Sequence, residues 1–128
     1  MPAKRDLPAT PDAATGVPAV PCGNLLQGIP AALPEELVEV LLQQPGLRLE
    51  RILSRGHCSP ANFWYDQPAQ EWVLLLQGEA ELQFAADNRR RRLRAGDYLL
   101  LPAGCRHRVA WTSSAPEAIW LALFFPPG

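Results

Sequence analysis

From Leu47 onward, apolar and polar residues alternate with a period of two, the mark of strands with two different faces. In Leu47 to Ser54 (LRLERILS), Leu47, Leu49 and Arg51 share one side and Arg48, Glu50 and Ile52 the other. Glu79 to Ala85 sets Ala80, Leu82 and Phe84 against Glu79, Glu81 and Gln83. Between them, Phe63 to Gln67 reads as an aromatic strand, and Glu71 to Gln77 as a nearly continuous apolar strand stopped by Gly78. Asp87-Asn88 is a hairpin signal, with Arg89 to Arg94 returning behind it. Tyr98 to Leu101, Cys105 to Val109 and Ala118 to Phe125 complete the series, separated by Pro, Gly and Ser. Many short strands with this punctuation predict an all-β sandwich or barrel.

Upstream the rhythm differs. Leu33, Leu37, Val40 and Leu41 recur at helical spacing after Pro34-Glu35-Glu36, and Pro45-Gly46 follows. Proline and acids at the start and a Pro-Gly stop predict one amphipathic N-terminal helix. Asn24 to Ile29 is a short apolar stretch expected to lie on the barrel. Residues 1–21, rich in Pro, Ala, Thr and Asp and without a hydrophobic period, read as a mobile tail, which leaves 22–128 as one domain.

Composition narrows the functional classes. Twelve Lys and Arg against thirteen Asp and Glu in 128 residues give a net charge of -1, with no overall attraction to nucleic acid or membrane. The run Arg89 to Arg92 follows a turn signal and reads as a solvated hairpin. Cys22, Cys58 and Cys105 are odd in number and lack C-x-x-C spacing, so a cytoplasmic protein without a disulfide framework is expected.

The chemistry concentrates at two places. In GDYLLLPAGCRHRV (Gly96 to Val109), alternation puts His107 on the side of Val109 and Trp111, with Arg106, Arg108 and Ala110 opposite. In EWVLLLQG (Glu71 to Gly78), Glu71 shares a face with Val73 and Leu75. A carboxylate and an imidazole on apolar faces point to a shared pocket, since burying either alone costs several kcal/mol. Trp64, Tyr65 and Trp111 are candidate apolar walls for a small ligand.

Gly96, Pro102, Gly104 and His107 are spaced as in the second motif of the cupin superfamily, and Glu71 and Gly78 as at the end of the first. From about Leu47 to Phe125 the chain resembles that family, although Trp111 stands where the family usually has Asn. The resemblance implies a double-stranded β-helix (jelly-roll) barrel, and homodimers through barrel edges or faces. It also implies a divalent metal (iron, manganese, nickel, copper or zinc) held by three histidines and a glutamate.

Here Glu71 and the second-motif His107 are present, but the first-motif histidine pair is not. Tyr65 and Gln67, Trp64 and Asp66, or, counted forward from Gly56, Asn62 and Trp64 stand at the candidate positions. Two readings follow. In one, Glu71 and His107 hold a metal with help from Asp66, Gln67 or His57. In the other, the barrel binds a small molecule without metal, and Glu71 and His107 orient it or transfer a proton. The protein is expected to be a small-molecule binder, or an oxygenase, isomerase or lyase on a small polar substrate.

Overall fold

The structure is a computed structural model that describes residues 20–128. The tail assigned to residues 1–21 lies almost wholly outside the described residues. Eight strands follow in order: β1 (Leu37–Gln44), β2 (Leu47–Ser54), β3 (Gln70–Gln77), β4 (Glu79–Phe84), β5 (Arg90–Arg94), β6 (Tyr98–Leu101), β7 (His107–Thr112) and β8 (Ala118–Phe125). They form two antiparallel sheets, a five-stranded one in the order β1-β2-β8-β3-β6 and a three-stranded one in the order β5-β4-β7. The sheets pack face to face as a β-sandwich. Val73, Leu75, Ala80, Leu82, Leu93, Leu101, Trp120 and Ala122 fill the space between them.

One residue carries the chain from the first sheet to the second between β3 and β4. Gly78 has a φ of +81°, and a Cβ there would lie 2.7 Å from the Glu117 carbonyl oxygen and 2.9 Å from the Ala118 Cα. Only glycine tolerates both the left-handed backbone and that contact.

The expected N-terminal helix is instead strand β1, paired antiparallel with β2 from Leu37↔Leu53 to Gln44↔Leu47. Its register slips between Val40 and Leu42, leaving Leu41 as the extra residue. A bulge in an alternating strand brings apolar residues to i, i+3 and i+4, which imitates a helical stripe. Pro45-Gly46 is then a two-residue hairpin loop rather than a helix stop, with Gly46 at a φ of +75°. The expected strand Phe63 to Gln67 is also absent; only Tyr65 makes an isolated bridge, to His107.

β2 also anchors the segment before β1. Glu39 and Arg51 are cross-strand partners and form a buried ion pair. The Arg51 guanidinium also donates to the carbonyls of Leu25 (3.0 Å), Gln27 (2.6 Å) and Gly28 (3.4 Å). Arg55 does the same for Pro30 and Ala31 and pairs with Glu117 at 2.9 Å. Residues 24–31 are thus strapped across the outer face of β2, where the neighbouring Leu53 and Ile119 are fully buried. Removing one member of a buried pair leaves the other charge uncompensated, at about 3–5 kcal/mol. Arg51→Met is therefore expected to lower unfolding stability by about that much in urea titrations. Glu39→Gln should cost less, because Arg51 would keep its three carbonyl acceptors.

Candidate functional site

A cavity of about 260 Å³ opens between the sheets. Its floor is apolar, made by Val73, Leu82, Leu101, Val109 and Trp120. Its polar side carries Tyr65, Gln67, Glu71 and His107, with Glu36, Arg48 and Glu50 from the β1–β2 side.

Each polar group is placed by local backbone structure. Glu71 sits on β3 opposite Leu101 and Phe124 and shares its inward face with buried Val73 and Leu75. His107 begins β7 opposite Phe84. The chain before β3 is irregular, yet it is pinned at two points. Tyr65 and His107 exchange both backbone hydrogen bonds, at 2.7 and 3.1 Å, and Gly104 N–H donates to the Gln67 carbonyl at 2.8 Å. The first of these bridges brings the Tyr65 and His107 rings into a stack, 5.4 Å between centroids and 26° between planes.

The Glu71 Oε1 lies 3.8 Å from the His107 Nε2, and both side chains are buried. Gln67 Nε2 donates to the same Glu71 oxygen at 2.9 Å. The His107 Nδ1 is 2.9 Å from the Cys105 carbonyl oxygen. A carbonyl only accepts, so Nδ1 carries a hydrogen and the Nε2 edge of the ring is turned to the cavity and Glu71. Burial pushes the Glu71 carboxyl above its usual range and nearby Glu50 adds to this, while the Gln67 hydrogen bond and His107 pull the other way. Burial also raises the Tyr65 phenol, with Glu36 and Glu71 reinforcing it and Ser59 opposing, so Tyr65 is a neutral hydroxyl. At the mouth, Arg48 pairs with Glu50 at 2.7 Å and lies over the Phe124 ring at 4.8 Å.

Four of the eight candidate side chains therefore meet in one cavity: Tyr65, Gln67, Glu71 and His107. The other four do not line it. Trp64 and Asp66 alternate with Tyr65 and Gln67 and turn away; Trp64 lies under the Arg106 guanidinium at 6.0 Å, and Asp66 is exposed. Trp111 was expected on the His107 face, but the register between β4 and β7 shifts after Leu82↔Val109, so that Glu81 pairs with Trp111. The bulge at Ala110 flips every later residue. Thr112 turns inward and Trp111 outward, 39% exposed, with the Arg92 guanidinium 4.4 Å above its ring. His57 accepts from the Arg55 backbone N–H through its Nδ1 at 2.8 Å and is not part of the cavity wall.

Alternation in LRLERILS placed Arg48 and Glu50 beside Ile52, which is the cavity side. That face was the available signal for these two residues. Glu36 and Trp120 had no comparable mark.

The sequence matches the cupin-domain family over residues 55–124. The chain belongs to the cupin family. A structure from Ralstonia eutropha JMP134, provisionally assigned as a mannose-6-phosphate isomerase, is 44% identical over 82% of this chain and 97% of its own, with a TM-score of 0.79. A cupin superfamily protein from Desulfitobacterium hafniense DCB-2 is 21% identical, covering 77% of this chain and 84% of its own at a TM-score of 0.64. KdgF from Halomonas sp. is 18% identical, covering 82% and 93% at 0.62. The last two are alike in fold alone. No helix among the described residues is long and apolar enough to cross a membrane.

Cupins commonly hold a metal, and the donor set here can be tested against that. Glu71 and His107 are strong ligands. Tyr65 offers a neutral phenol, and Gln67 turns its amide N–H, not its oxygen, toward Glu71. Among the described residues no group of three or more His, Cys, Asp or Glu side chains is arranged to hold a metal ion. The residues present do not fit a four-ligand cupin metal.

The raised Glu71 carboxyl has a consequence for stability. A carboxyl raised on folding binds more protons in the native state than in the unfolded one. Its contribution is present below the ordinary value of 4.5 and is lost as pH rises from there through the folded value. Glu71→Gln removes that loss. The melting temperature of Glu71→Gln relative to the parent should therefore climb between pH 4 and pH 7, measured by thermal denaturation across pH. A gap that shrinks with pH would contradict the assigned direction.

Proposed function

We propose that this cupin binds a small polar molecule in the cavity between its sheets and moves a proton on it with Glu71 and His107, without a metal. The observation that carries this reading is the pairing itself. A buried carboxyl raised by its surroundings stands 3.8 Å from an imidazole nitrogen whose tautomer is fixed from behind by the Cys105 carbonyl. One group is suited to hold a proton and the other to accept one, which is the division of labour that general acid–base chemistry needs. Tyr65 and Gln67 supply neutral hydrogen-bonding groups beside the pair. The apolar floor of Val73, Leu82, Leu101 and Trp120 seats the rest of the molecule.

The Ralstonia relative supports the same class of reaction. An isomerase relocates hydrogen within its substrate, so it needs a base to take a proton and an acid to return one. In this cavity His107 Nε2 would take the proton and Glu71 would return it, with Gln67 holding the Glu71 carboxyl in place. Such a step requires no third ligand. A metal-dependent reaction of the kind typical of the family lacks two of its imidazoles here.

The test is solvent-proton exchange. Mannose 6-phosphate and unphosphorylated mannose, incubated with the protein in D2O, are followed by NMR for deuterium at the carbon beside the carbonyl. Exchange is expected with at least one of them, to survive EDTA treatment, and to fall about 100-fold or more in His107→Ala, within the range for losing a general base. Exchange that vanishes with EDTA and returns with added metal would overturn the metal-free mechanism. Exchange unaffected in His107→Ala would remove that residue from it.

A further inference from the structure

The charges that line the cavity between the sheets are balanced among themselves. Among the described residues on its wall, Arg48 is the only arginine or lysine. It is already occupied: its Nε lies 2.7 Å from Glu50 Oε2, and its guanidinium lies over the Phe124 ring at 4.8 Å. Both members of the pair stand on the inward face of β2, where side chains two positions apart are neighbours, so the strand itself keeps them together. The Glu50 side chain is only 10% exposed, against 43% for Arg48. A charge buried to that degree is stable only beside its counter-ion, so Glu50 holds Arg48 rather than yielding it to a ligand.

The other carboxyls on the wall offer a negative group no attraction. Glu36 stands exposed at the rim, where Ser54 Oγ donates to its Oε2 at 2.8 Å. Glu71 is held toward its neutral form by burial. A phosphate ester entering here meets one occupied cation and the carboxylates of Glu36 and Glu50. Phosphate recognition needs the reverse: guanidinium or ammonium N–H groups free to bind, or the backbone N–H groups of a helix start. No helix is present among the described residues. The wall instead supplies hydrogen-bonding groups without net positive charge, namely the Glu36 and Glu50 carboxylates, the Tyr65 hydroxyl and the Gln67 amide. Hydroxyl groups of a ligand match such acceptors. The volume of about 260 Å³ lies below the roughly 300–1,000 Å³ of pockets for drug-sized molecules, which limits the occupant to a small one.

We propose that the cavity takes an uncharged, hydroxyl-bearing carbonyl compound and rejects its phosphate ester, and that Glu50 sets this preference by occupying Arg48. The proposal rests on the proton-transfer reading of Glu71 and His107, which supplies the carbonyl, and adds the class of molecule and the residue that selects it. Glu50 is a positioning residue, acting through the guanidinium it holds. Specificity is a difference between two affinities. The Arg48–Glu50 pair leaves an uncharged ligand unaffected and denies the ester its only cation. Neutralising Glu50 releases Arg48 to make a charge-assisted hydrogen bond to the ester, an effect of about tenfold in affinity.

Two matched pairs serve as probes: mannose with mannose 6-phosphate, and glyceraldehyde with glyceraldehyde 3-phosphate. Binding to the full chain is titrated by ligand-observed NMR near neutral pH. In the parent protein the uncharged member of at least one pair should bind about tenfold or more tightly than its ester. In Glu50→Gln the ester should gain about tenfold, while the uncharged member stays within about twofold. Loss of folding would weaken both members, so it cannot imitate that change of ratio. Glu36→Gln, at an exposed position, should shift the ratio the same way by less, and added salt should erase its effect. Tighter binding of the ester by the parent, or a ratio unchanged in Glu50→Gln, would overturn the proposal and leave the proton-transfer reading intact. Silence from all four probes would overturn both. An uncharged probe bound with the expected preference but without deuterium exchange would bear out the selectivity and count against proton transfer alone.

Discussion

A carboxyl and an imidazole buried side by side between two apolar sheets set the conditions for everything around them. Neither could stay there unpartnered, since each would cost several kcal/mol in desolvation. The fold meets that cost with nearby backbone and amide groups: Gln67 for Glu71, the Cys105 carbonyl for His107, and the paired backbone bonds of Tyr65 and His107 that close the cavity wall. Those last two bonds order a segment that is otherwise irregular. They bring a phenol and an amide beside the pair, so that Tyr65, Gln67, Glu71 and His107 line one cavity.

The strands and their inward faces could be read from alternation because the sandwich is packed on its inner side almost throughout. Val73 and Leu75 behind Glu71, and Val109 beside His107, follow the period of two without a break. What alternation cannot carry is a register shift. The bulge at Leu41 gave β1 the spacing of a helix, and the bulge at Ala110 turned Trp111 from the cavity to the surface. In both cases one extra residue, decided by pairing with a distant strand, reversed a face that the local pattern assigns the other way. Trp64 and Asp66 went astray for a different reason. More than one spacing before Glu71 suited the motif, and the bridge from Tyr65 to His107 decides which of these residues face the cavity.

The cavity and the outer sheet surfaces divide the molecule's remaining chemistry. Paired arginines and glutamates cover one side, and an arginine-tethered strap covers part of the other. Fixing β2 in this way also fixes Arg48 and Glu50, which alternate with Arg51 and face the cavity mouth. Stability on the outside and polarity at the site thus meet on a single strand.

The tautomer of His107 is the point on which the proton-transfer account turns. Two-bond proton–nitrogen NMR of the ring, recorded near neutral pH with and without equimolar zinc, reads it directly. The account predicts hydrogen on Nδ1, a free acceptor Nε2, and a spectrum that zinc leaves unchanged. Hydrogen on Nε2, or an Nε2 resonance displaced by stoichiometric zinc, would contradict it.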